Sequence, residues 1–157
     1  MDNNVLAEQL INLLSKEQAH ASLENSLKGL KTENRAKKPN VDLHSVWDEL
    51  EHIRISQEDI LNYMLDPEWK SPKWPDEYWP SATNKVTDAE WKKSVDACIN
   101  DRNELIKIIK EKGNELSKVI PHTESHTYLR ELLIAAQHNS YHIAQIVLIR
   151  KMLDDWK

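Results

Sequence analysis

His138 and His142 stand four apart in the run Gln-His-Asn-Ser-Tyr-His. On a helix, residues i and i+4 lie one above the other, so both imidazoles project from one face. One helix can offer two ligands to one metal ion in this way. Ala135 and Ile149 share the row, so the rings point towards packed surface. A pair of hydrogen-bonded core histidines would give the same pattern, and spacing alone leaves both open. A third ligand must come from another segment, and His52, in Trp-Asp-Glu-Leu-Glu-His-Ile, is the candidate. A helical wheel sets it apart from Val46, Leu50 and Ile53, in a polar row with Asp48, Glu49, Ser56 and Tyr63. It therefore lines a cleft beside the core or faces solvent.

The other histidines read differently. His122 and His126 repeat the spacing, but in a polar segment after Pro121 that reads as solvated loop. His20 shares a row with Leu13 and Leu27 and is expected to face inward as a satisfied core histidine. His44, near a helix start, reads as a capping or surface residue. Glu49 and His52 make the Glu-x-x-His spacing of carboxylate-bridged di-iron bundles. The matching acid would fall at Ala135 or Asn139, so one metal is expected rather than two. Cys98 lies on an apolar stripe and reads as inert core. As the only cysteine it excludes an internal disulfide.

Four long helical patterns must position these groups, which predicts an all-α fold. The first covers about 3–30, with Leu6, Leu10, Leu13 and Leu27 in one row. The second covers 43–65, where Asp66-Pro67 stops it because the residue before proline is pushed out of the helical region. The third starts at Thr87, which has capping-box spacing to Glu90, and carries Trp91, Val95, Cys98, Leu105, Ile106 and Ile109 to Gly113. The fourth covers 127–154 and is apolar around most of its circumference, as expected at the centre of a bundle. The stretch 66–86 holds four prolines with Trp69, Trp74, Tyr78 and Trp79. It cannot be a regular helix, and its tryptophans are too apolar to leave wet. It reads as a crossover arm over one end of the bundle, or as a lid or wall over a pocket.

Composition narrows the function. The chain has 157 residues, expected to form a single domain over 1–157. Two glycines rule out a Gly-rich phosphate loop, a dinucleotide fingerprint and a GxSxG elbow. A formal net charge of −5 lacks the field that holds a phosphate backbone, so no nucleic-acid partner is expected. The apolar runs are too short to span a bilayer, and the Met-Asp-Asn-Asn start lacks signal-peptide character. A cytoplasmic protein with no membrane partner is expected.

The segment from His44 to Leu61, His-Ser-Val-Trp-Asp-Glu-Leu-Glu-His-Ile-Arg-Ile-Ser-Gln-Glu-Asp-Ile-Leu, resembles the second helix of the DinB-like superfamily, also called the DNA-damage-inducible family. The segment from Leu129 to Arg150 is similar to its last core helix. Trp-Pro-Asp-Glu-Tyr-Trp-Pro and His20-Ala-Ser-Leu-Glu extend the likeness over most of the chain. Ala144 departs from the glycine often found after the second histidine of the pair. The resemblance implies a four-helix bundle with a long crossover loop between helices 2 and 3, often a homodimer, which agrees with six tryptophans on a small chain. It implies one divalent metal ion, nickel or zinc, held by His52, His138 and His142 in a cleft between helices. Some members are similar to thiol-dependent S-transferases using mycothiol, bacillithiol or glutathione, and others to metal-dependent hydrolases; DNA binding is not implied.

Three imidazoles would leave a fourth position for water or a thiol. Glu49, one turn before His52, could then serve as base or orient a ligand, with Tyr141 and Gln145 as pocket groups. A low-molecular-weight thiol or another small molecule is the expected substrate. The competing expectation is a non-catalytic helical module that binds metal or a small ligand, favoured by the lack of a convincing nucleophile.

Overall fold

The computed structural model describes residues 3–156. These residues form five α-helices, α1 (Asn3–Ser15), α2 (Leu23–Leu27), α3 (Val46–Leu65), α4 (Asp88–Lys112) and α5 (Tyr128–Met152), and three single 3-10 turns. No strand forms among the described residues; Val119 and Thr127 make an isolated antiparallel bridge. No helix among them is long and apolar enough to cross a membrane.

The long helices start where side chains satisfy their free N–H groups. Ser45 Oγ accepts the Asp48 N–H at 3.2 Å, and Asp48 Oδ2 accepts the Ser45 N–H at 2.9 Å. Thr87 and Glu90 close the same box at the head of α4, at 3.2 and 2.8 Å. Thr127 Oγ1 accepts the Arg130 N–H at 3.1 Å and opens α5. Asp66, extended before Pro67, ends α3, and Gly113 at φ 46° follows α4 in a conformation that favours glycine.

The single helix expected over 3–30 is two. Ser22 caps α2 by accepting the Asn25 N–H at 3.1 Å, and Glu17 accepts the Ser22 N–H at 3.4 Å. These local side-chain bonds offer the backbone an alternative to the helical ladder. Leu10 and Leu14 are the buried leucines of α1, whereas Leu13 is half exposed.

Helix α3 packs on α4 and α5, and α1 also packs on both α4 and α5. The core has two apolar clusters. One gathers Leu10, Leu61, Met64, Leu105, Ile109 and Leu132; the other gathers Leu23, Val46, Leu50, Ile53, Cys98, Ile143 and Ile146. Between them α3 presents His52, Ser56 and Gln57, and α5 presents His138, Asn139 and His142. Gln57 joins this layer by accepting from Asn139 Nδ2 at 2.7 Å and donating to the Cys98 carbonyl at 3.0 Å. Contrary to expectation, α5 is not buried all round. Leu133, Tyr141, Leu148 and Met152 share an outward face and are roughly half exposed.

Candidate metal centre

The polar layer brings His52 of α3 against His138 and His142 of α5. The ring centroids lie 4.8 Å apart for His52–His138, 4.4 Å for His52–His142 and 4.3 Å for His138–His142. One nitrogen from each ring lies within 4.8 Å of the other two. Nitrogens on a common ion at about 2.0–2.1 Å stand about 3–4 Å apart, so small side-chain movements suffice. Three imidazoles are also a donor set suited to zinc and nickel.

Two rings have their tautomers fixed from outside. His52 Nδ1 lies 2.8 Å from the Tyr78 carbonyl oxygen, which can only accept, so Nδ1 carries the proton. His142 Nδ1 lies 2.6 Å from Glu49 Oε2 and donates to it. In the neutral ring each then keeps a lone pair on Nε2. His52 Nε2 faces His138 Nε2 at 3.0 Å, while His138 Nδ1 is buried without a hydrogen-bond partner. Burial lowers the pKa of His52. Burial, reinforced by the neighbouring His142 and His52, brings His138 down to about 3. Neutral imidazole is the form that donates to a metal.

The helical wheel left His52 between cleft and solvent; it is 2% exposed and lies in the cleft. Asp48, Glu49 and Ser56 of the polar row are buried too, with Glu49 at 3%, and Tyr63 is partly buried. Trp79 stacks on His52 at 4.0 Å with planes 5° apart, and on His44 at 3.9 Å with the same tilt. Beside His142 lies a cavity of about 250 Å³, whose lining includes Leu43, His44, Glu49, Trp79, Tyr141 and Gln145. Tyr141 is exposed and meets His142 edge-on at 4.9 Å.

The other histidines stand outside the three-ring cluster, with His44 beside it across Trp79. His20, expected to face inward, is exposed in the link between α1 and α2, where its Nε2 lies 3.0 Å from Ser140 Oγ. The break in the first helix puts it there. His44 precedes the cap, which is Ser45. His122 and His126 meet Tyr63, at its carbonyl (2.7 Å) and hydroxyl (2.9 Å). Cys98 is buried, and burial pushes its thiol up to about 12.

Nothing in the sequence singles out Tyr78, Trp79 or Asp59 individually for the site. Asp59 stands seven residues after His52, hence on the same face of α3. Its carboxylate accepts from Trp69 Nε1 at 2.8 Å and from the Tyr78 hydroxyl at 2.6 Å. That spacing was the available signal.

A family model described as the DinB superfamily matches residues 16–146, more than half of the chain. No curated protein and no solved structure matches it.

Proposed function

The chain belongs to the DinB superfamily, and on that premise we propose that it binds one divalent metal ion, nickel or zinc, through His52, His138 and His142. The observation that supports this most is the meeting of three imidazoles from two helices, two of them with the outer N–H already bonded. Bound there, the ion supplies Lewis acidity, which lets water or a thiol lose its proton near neutral pH. The protein's part is to hold and orient. Glu49 steers the His142 ring rather than acting as a free base, because its Oε2 is engaged by Nδ1. The Tyr78 carbonyl does the same for His52. Burial keeps His52 and His138 neutral. The cavity beside His142 admits a low-molecular-weight thiol or a small electrophile, with Tyr141 and Gln145 on its wall. The activity this fits is thiol-dependent S-transfer or hydrolysis.

The finer architecture proposed is one domain, in which α1, α3, α4 and α5 form a four-helix bundle and 66–86 is the crossover. A cytoplasmic homodimer completes the proposal. The exposed face of α5, with Leu133, Tyr141, Leu148 and Met152, favours self-association. Sedimentation as a monomer at micromolar concentration would remove the dimer.

A second reading, a non-catalytic metal or ligand module, is favoured by one observation. No serine, threonine, cysteine or lysine lines the cavity beside His142. Two measurements decide. Elemental analysis is expected to find one metal per chain, lost in His138→Ala; full metal content in that variant would refute the ligand set. Turnover of thiols with electrophiles, or of esters and amides, by the metal-loaded protein supports an enzyme, and none with any of them supports the module.

A further inference from the structure

Seven residues separate His52 from Asp59, two turns along one face of α3. The segment after α3 returns along that face. Asp59 holds it at both ends, through the Trp69 indole at 2.8 Å and the Tyr78 hydroxyl at 2.6 Å. Between these points the chain is rich in proline, which limits the conformations it can adopt. The consequence lies at the second anchor and one residue beyond it. The Tyr78 carbonyl meets His52 Nδ1 at 2.8 Å, and Trp79 lies flat on the His52 ring at 4.0 Å. The hydrogen bond fixes which nitrogen holds the proton, and the stacked indole fixes the plane.

We propose that residues 69–79 form a strap, anchored by Asp59, that sets the tautomer and orientation of His52 and so tunes the three-histidine site. Asp59 and Tyr78 are positioning residues; neither side chain touches the three imidazoles' facing nitrogens. A carboxylate without this task would not need to receive two donors from opposite ends of one loop. The inference rests on the metal reading of the site only for its effect on affinity; its effect on the ring is independent.

The test uses the full chain, wild type and three variants: Asp59→Ala, Asp59→Asn and Tyr78→Phe. Lys70→Ala, exposed on the same loop, is the control. Nitrogen-15 spectra of the imidazoles in the metal-free protein report the His52 tautomer. The wild type and the control are expected to show Nδ1–H alone, and Asp59→Ala and Tyr78→Phe a mixture. Zinc competition against a chromogenic chelator is expected to show a loss of about 10–100-fold for Asp59→Ala. Asp59→Asn keeps one accepting oxygen and falls between. Circular dichroism checks that the helices persist. A wild-type tautomer in Asp59→Ala and Tyr78→Phe overturns the strap, even if zinc binds. An altered tautomer with no zinc binding in any protein upholds the strap's hold on His52 and refutes the metal reading, along with the tuning.

Discussion

At the residue scale, the pair His138 and His142 was legible because i, i+4 spacing is a geometric statement. His52 was harder. Periodicity separates polar from apolar rows, and a buried polar row looks the same as a solvated one. Glu49 and His52 are buried and polar because they bond to polar groups on α5 and the crossover. The Tyr78 contribution is a backbone carbonyl, which no side-chain pattern reveals. Glu49→Ala is expected to weaken metal binding about 10–100-fold by freeing the His142 ring. Glu49→Gln, which keeps an accepting oxygen, should lose less, and chelator competition checks the order. A different site gives a pH test. Burial, with the Glu58 carboxylate nearby, raises the Asp101 pKa from 3.8 to about 6. The folded protein thus holds this proton more tightly than the unfolded chain, so Asp101's contribution to stability falls as pH rises from about 4 to 6. Asp101→Asn should therefore be the more stable protein at pH 7, by at most about 1 kcal/mol because the group is only partly buried and is screened. The gain should vanish below about pH 4, as urea melts at both pH values will show.

At the element scale, α3, α4 and α5 begin and end within three residues of their expected limits, because their stop signals are chemical. Ser45, Thr87 and Thr127 cap, and Asp66-Pro67 and Gly113 terminate. The break between α1 and α2 was not visible. No proline or glycine lies in 16–22, and the interruption comes from Glu17, Ser22 and Asn25 bonding one another. The same break carries His20 to the surface. Thr87→Ala removes the acceptor for the Glu90 N–H and the partner of its carboxylate, and should cost about 1 kcal/mol in urea unfolding. Cys98, buried on α4 among residues of α3 and α5 with its thiol pushed up to about 12, should resist alkylation until the protein unfolds.

At the scale of the whole molecule, a continuous helical core is interrupted by a layer of histidine, glutamine and asparagine between two apolar clusters. Such a layer forgoes apolar burial and must have its polar groups satisfied. An ion held only by the folded state would offset this by mass action, by about 2.7 kcal/mol at a hundredfold excess over Kd. For a chain of this size that corresponds to a rise of about 5–10 °C in Tm. The rise should appear with added zinc, reverse with chelator and be absent in His138→Ala. All of this depends on one ion meeting three rings. The most direct measurement is a crystal structure of the protein purified without a tag, with anomalous scattering recorded at the nickel and zinc edges. One peak is expected, at about 2.0–2.1 Å from nitrogens of His52, His138 and His142. A metal-supplemented crystal with no peak between these rings, or with the His52 ring turned away from the other two, would contradict it.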